Sequence, residues 1–185
     1  MVQTPLRLPK AKDFRSVWLK PWGCSDDPEG ADFDLTSHDQ VDFTRQYSIG
    51  PGDGIIVYLV GWVEIVGVVE VTSDMKLIEN DELRKSPEMK QWPWSVEVKH
   101  HTTELSTKTP NGRAWGQSPA LSPFGLCKEF RRQFPSFPVA AGGGKSLGAV
   151  NFGASALELS GDFAQFLLDR VEAKVASLRQ RGLIP

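Results

Sequence analysis

Cysteine is scarce in this chain of 185 residues. Cys24 and Cys127 are too few for a disulfide framework, and neither sits in a CxxC pair, so both read as reduced thiols. No apolar stretch approaches the ~20 residues of a membrane-spanning helix. Met-Val-Gln-Thr-Pro-Leu-Arg-Leu-Pro-Lys, at the N-terminus, holds no apolar core of signal-peptide length. A cytoplasmic protein with no membrane partner is expected. Histidine is limited to His38, His100 and His101. The last two adjoin on an expected strand and point to opposite faces. No His/Cys/carboxylate cluster has zinc or calcium spacing, so no metal or cofactor is expected. No GxSxG elbow occurs. Ala141-Gly-Gly-Gly-Lys-Ser146 falls short of a nucleotide-phosphate loop, because Val139 stands where its first glycine belongs. No catalytic residues are expected.

A large net charge is lacking too: the balance is −2, which argues against indiscriminate coating of nucleic acid. The distribution is uneven, however. Residues 24–90 carry 15 acidic against 5 basic side chains, a balance of −10. Residues 99–150 carry Lys99, Lys108, Arg113, Lys128, Arg131, Arg132 and Lys145 against Glu104 and Glu129, a balance of +5. Such polarity steers an anionic partner onto one region while other faces repel it.

What is present points to one domain with a substantial core. Apolar residues make up 40% and charged residues 24%, as in ordinary globular domains, and the length would cramp two. Residues 54–74 are its centre. Ile55 to Val60 is apolar and mostly β-branched, which fits a strand covered on both faces. Gly61-Trp62 interrupts it as the turn of a tight hairpin, with glycine at the first position of a type II′ turn. Val63 to Thr72 forms the second strand, in which Gly67 marks a bulge or a close backbone approach.

Around this hairpin, residues 1–13 lack periodicity and read as an N-terminal arm. Phe14 to Lys20 alternates into an opening strand, ended by Pro21. Thr36 or Ser37 caps an expected short helix through Tyr47. Trp92 to His100 reads as a strand with Trp94, Val96 and Val98 on one face. Residues 101–147 form a Pro/Gly-rich basic insertion with a short helix near Leu126–Phe134. Residues 148–159 return to the sheet, and Ser160 caps a final helix whose apolar stripe is Phe163, Phe166, Leu167, Val171 and Val175.

Six tryptophans, Trp18, Trp22, Trp62, Trp92, Trp94 and Trp115, stand in this one small domain. Core packing is the ordinary use of any one of them. Trp22 and Trp62 differ, since one follows a strand end and the other sits in a turn. A tryptophan at a barrel mouth offers a flat face to a planar ligand. Base–aromatic stacking is worth ~1–3 kcal/mol per base. That helps offset the few kcal/mol needed to unstack a base.

The order of these elements resembles the EVE domains of the PUA-like superfamily, relatives of YTH and ASCH domains. The resemblance rests on Val17-Trp18-Leu19-Lys20, the turn Gly50-Pro51-Gly52-Asp53 before Ile56-Val57-Tyr58, Ile65 to Val71, Trp92 to Val98 and Leu159-Ser160. It spans about residues 14–100 and 145–178. It implies an α+β fold, a small β-barrel of about five to six strands flanked by helices, in a single domain over residues 14–180. It also implies a non-enzymatic targeting module of a modification-dependent restriction system, associated with a nuclease and reading a modified nucleobase flipped from DNA rather than RNA. Trp22 and either Trp92 or Trp94 would sandwich the base, with Lys20, Trp18 and Trp62 also lining the pocket. Asn151 or Ser155 would bond the base edge, and the insertion's Lys128, Arg131, Arg132 and Lys145 would hold phosphates. Residues 101–147 depart from the family pattern, and residues 75–91 lack the cage tryptophan of YTH domains. Two other readings stand beside this one: an RNA-binding PUA-like domain or subunit of an RNA-modification enzyme, and a protein-interaction module whose tryptophans are all core.

Overall fold

The apolar hairpin at the centre of the sequence is also the centre of the fold. The computed structural model describes residues 7–22, 35–60, 63–78, 92–106, 121–148 and 156–184. In chain order the elements are β1 (Val17–Trp22), β2 (Gln40–Phe43), β3 (Gly54–Leu59), β4 (Glu64–Val71), β5 (Lys76–Leu77), β6 (Trp94–Thr102), α1 (Pro123–Gln133), β7 (Leu157–Glu158) and α2 (Gly161–Gln180). The strands form one sheet in the order β2-β6-β4-β3-β1-β7, with β5 beside β6 off this path. Only the β1–β3 pairing is parallel. The fold is α+β, and the curl of its sheet is compatible with a small barrel.

Alternation along the strands sorts side chains onto two faces. Val17, Leu19, Ile56, Tyr58, Ile65 and Val68 join Leu126 and Phe130 of α1 and Phe163, Leu167, Val171 and Val175 of α2 in one buried cluster. Trp18, Ile55, Val57, Val66, Val69, Val96 and Val98 face inward and cluster with Leu35, Val41 and Phe43. The curl is visible in contacts between β1 and the chain at β2, although three strands separate them in the sheet. Trp22 meets His38 edge-on at 5.2 Å and Trp18 meets Tyr47 at 5.9 Å.

Gly67 serves both purposes expected of it. The β3–β4 register slips beside it, with Val57 opposite Gly67 and Tyr58 opposite Ile65. A Cβ on Gly67 would fall 2.2 Å from Leu35 Cδ2 and 2.8 Å from the Thr102 carbonyl. The hairpin loop is longer than a two-residue turn, because Leu59 and Glu64 form the closing pair. Val63 ends that loop at φ 54°, its amide donating to the Leu59 carbonyl at 2.7 Å. The turn expected at Gly61-Trp62 lies outside the described residues.

Three expectations are corrected. β1 does not stop before Pro21 but continues to Trp22. Gly54 and Val60 donate to the Ser16 and Trp22 carbonyls, so alternate residues from 16 to 22 turn their backbone toward β3. The Pro21 nitrogen therefore faces the other edge, where β7 pairs only with Trp18 and Leu19, and no ladder bond is lost. The helix expected from Thr36 or Ser37 to Tyr47 is a single 3-10 turn, Leu35–Ser37, followed by β2. Val41 and Phe43 are spaced by two, a strand period, and β6 offers them an edge. Within the expected arm, Leu8 is buried and Ala11 donates its amide to Gln165 of α2 at 2.8 Å.

Candidate functional site

Strand β1 aims Trp18, Lys20 and Trp22 at the inner face, and Lys20 is the anomaly among them. Its side chain lies in the apolar interior with 1% of the residue exposed. The ammonium donates to the Pro21 carbonyl at 2.6 Å. It also sits 4.6 Å from the centre of the Trp92 ring and 5.4 Å from that of Phe43. Ring faces attract a cation, but they do not replace its water. Burial accordingly drives the lysine down to about 7, with the charge of Asp42 opposing the drop. Asp42 is pushed up by its own burial, against the pull of Lys20 and His38.

More unmet hydrogen-bonding capacity surrounds this lysine. Among the described residues, Asp42 Oδ1 and Trp18 Nε1 are buried without a hydrogen-bond partner. An unpaired buried polar atom costs ~1–3 kcal/mol, so such atoms concentrated together are exceptional in a folded protein. Tyr47 completes the surroundings. Its ring meets those of Trp18 and Phe43, and its hydroxyl accepts from the Ala156 amide at 3.0 Å. The seam where β1 approaches β2 thus carries a cation, an acceptor and a donor within an aromatic wall.

The sequence-predicted residues divide between this seam and elsewhere. Trp18, Lys20 and Trp92 meet there, and Trp22 reaches it through His38, whose charge acts on Asp42. Trp94 is half-buried at the start of β6, opposite Phe43 and Leu77. Trp62, Asn151 and Ser155 lie outside the described residues. The sequence offers Phe43 and Tyr47 only as apolar contacts of a helix and gives Asp42 and His38 no role, because a helix over residues 36–47 hides the strand at Gln40–Phe43. A lysine inside the apolar run Val-Trp-Leu-Lys-Pro-Trp was the signal available in the sequence.

The basic residues assemble separately. Lys128 and Arg131 of α1 line one cleft of about 390 Å³ together with Lys145 and Ser146. Phe124, Cys127, Leu147 and Gly148 complete it, whereas Arg132 does not border it. Cys127 and Leu147 belong to the helix-side cluster, so this cleft and Lys20 occupy opposite faces of the sheet. A second cleft, of about 370 Å³, lies at the start of α2 between Arg15, Ser16, Glu158 and Gly161. Arg15 there is held by Asp53 at 2.6 Å.

Three further carboxylates, Glu64, Glu70 and Glu97, have their partners away from this seam. Glu64 is buried at 3% exposure, and that burial pushes its carboxyl up to about 8. Its electrostatic neighbours are Lys174 of α2 and the Leu121 backbone. Glu70 pairs with His101 at 2.8 Å, and exposed Glu97 pairs with Lys76 at 2.8 Å. Among the described residues no helix is long and apolar enough to cross a membrane. No family model matches the chain, and no curated protein matches it in sequence.

Proposed function

We propose that this chain is a nucleic-acid-binding module that recognises a modified nucleobase, DNA before RNA, in the manner of an EVE domain of the PUA-like superfamily. The observation that carries the reading is the buried Lys20 ammonium under Trp92, in a seam where Asp42 Oδ1 and Trp18 Nε1 are also buried and, among the described residues, without a hydrogen-bond partner. A flipped base has a flat face for the indoles and an edge that both donates and accepts. Bonding that edge would relieve the three polar groups at once, an energy gained only when the ligand is seated. Trp22 and Trp92 are assigned to stacking, and Lys20, Asp42 and Trp18 to the base edge. The basic residues lie on the other face, so one base cannot touch both sets, whereas the backbone of a longer strand has the reach. A targeting role in modification-dependent restriction rests on the resemblance in element order.

The test is fluorescence anisotropy with labelled oligonucleotides carrying 5-methylcytosine, 5-hydroxymethylcytosine, N6-methyladenine or no modification. One modified oligonucleotide is expected to bind at least about tenfold more tightly, ~1.4 kcal/mol. Trp92→Ala and Lys20→Met should erase that preference without unfolding the chain. Equal affinity across the panel defeats the proposal. An RNA-directed enzyme is the second reading, favoured by one observation: Asp42, a carboxyl raised by burial, acts through its charge on a depressed lysine. It requires turnover of the RNA that binds, lost in Asp42→Asn.

A further inference from the structure

The cleft between α1 and the Gly142–Lys145 turn gathers three cations around one hollow. Among the described residues Lys128, Arg131 and Lys145 form no ion pair, although all three border the same hollow. The carboxylate on this helix, Glu129, is turned away to Arg170 of α2. Gathering like charges around one hollow is unfavourable in the empty protein and becomes favourable once an anion enters.

The hollow is not only basic. Phe124, Cys127 and Leu147 form its remaining wall. The Phe124 ring meets the buried Tyr58 edge-on at 6.0 Å and an interplanar angle of 88°. The opposite wall is equally fixed. Val139 and Ala140 both donate their amides to the Gly144 carbonyl, at 2.8 and 3.0 Å, and Gly143 takes φ 86° to close the turn. Ala140 bridges to Leu159, and Leu147 is buried beneath the loop. Lys145 and Ser146 therefore project from a tied loop. A volume of about 390 Å³ falls within the ~300–1,000 Å³ of small-molecule sites.

We infer that this cleft is a nucleotide-phosphate site. Lys128, Arg131, Lys145 and the Ser146 hydroxyl hold the phosphate, and the attached base lies against Phe124. The ligand is a free nucleoside phosphate or the 5′-phosphorylated end of a strand, which share this chemistry. The site binds without hydrolysing, because the loop lacks the first glycine of a phosphate loop and bears Val139 there instead. The inference is independent of the base-reading seam, which lies across the sheet.

The experiment is calorimetric titration of the full chain with AMP, ADP, inorganic phosphate and a 5′-phosphorylated DNA decamer, beside the same decamer bearing a 5′-hydroxyl. AMP or ADP, or the phosphorylated decamer over its hydroxyl counterpart, is expected to bind measurably and more weakly as salt rises. Each of Arg131→Gln and Lys145→Gln should weaken that binding about tenfold, the worth of one charged hydrogen bond. Phe124→Leu should weaken the nucleotide but not inorganic phosphate, while Lys20→Met should change neither. Saturable AMP or ADP identifies a free nucleotide as the ligand; binding only to the phosphorylated decamer identifies a strand end. The inference is overturned if no phosphate-bearing probe binds, if the cleft variants bind like wild type, or if Phe124→Leu leaves nucleotide affinity unchanged.

Discussion

The two faces of the sheet solve the same packing problem differently. On the outer face α1 and α2 bring Leu126, Phe130, Phe163, Leu167, Val171 and Val175 onto the strands, and this cluster extends to Leu178 and Ile184. Helices satisfy their own backbone and offer continuous apolar stripes, and the buried Glu64 has Lys174 of α2 and the Leu121 backbone as its electrostatic neighbours. The inner face is closed by β2 and by loops. It keeps Lys20, Asp42 Oδ1 and Trp18 Nε1 with fewer bonds than they can make. One face is organised for stability. The other gives up stability where a modified base is proposed to bind.

The largest expected effect tests the first half of that contrast. Phe163 is fully buried at the start of α2, against the rings of Phe130 and Phe166. Phe163→Ala should lower unfolding free energy by ~3–5 kcal/mol in urea titrations. A loss below ~1 kcal/mol would show that the helix side is loosely packed and that the contrast is false.

Next comes a change of opposite sign. Lys20→Met keeps the length and apolar stem of the side chain but removes the buried charge. Together with Asp42→Asn, so that no carboxylate is left without the lysine charge, it should stabilise by ~1–4 kcal/mol, because desolvating the buried lysine costs more than the field of Asp42 returns. Binding of a modified base should disappear in the same double variant. A destabilised double variant would mean that Lys20 and Asp42 serve the fold, and the inner face would resemble the outer one.

The pH dependence sets two buried ionisable groups, Lys20 and Glu64, against each other. Lys20 stands near 7 when folded and at 10.5 in its ordinary state, so between these values the unfolded chain holds the extra proton. Stability therefore rises with pH from about 7 upward, and the penalty of the buried charge is complete below it. Glu64 stands near 8 when folded against an ordinary 4.5, so there the folded chain holds the extra proton. Its contribution is full below 4.5 and is lost as pH climbs toward 8. Their sum gives a minimum of stability near pH 7–8. Urea midpoints between pH 5 and 10 should show it, with Lys20→Met flattening the alkaline limb and Glu64→Gln the acid limb. A monotonic profile in wild type would sink the assignment.

Legibility in the sequence followed the same division. The outer face could be read in advance, because the α2 stripe recurs at helical spacing and Ser160 sits where the cap belongs. The β3–β4 pair was readable as well, down to the irregularity at Gly67. The inner seam was not. It joins β1 to β2, segments about 20 residues apart that no backbone ladder connects, and their approach depends on the curl of the sheet. Residues 36–47 offered a plausible cap and three apolar residues, and only the β6 edge decides that they form a strand. The basic set was legible as charge but not as place, since α1 carries Lys128 and Arg131 to the face opposite the tryptophans.

The smallest effects compare two helix starts within the stable face. Ser160 Oγ accepts from the Phe163 amide at 3.3 Å and also donates to the Pro138 carbonyl at 2.6 Å, in a buried setting. Ser122 Oγ caps α1 by accepting from the Gly125 amide at 3.4 Å, near solvent. Removing a cap costs ~0.5–2 kcal/mol, the upper part where other partners are stranded. Ser160→Ala should therefore cost ~1–2 kcal/mol, because it orphans both the amide and the Pro138 carbonyl. Ser122→Ala should cost ~0.5 kcal/mol, since water replaces the lost acceptor. Equal losses would mean that the Ser160 hydroxyl does no more than cap, and that α2 is seated on the sheet by its apolar stripe alone.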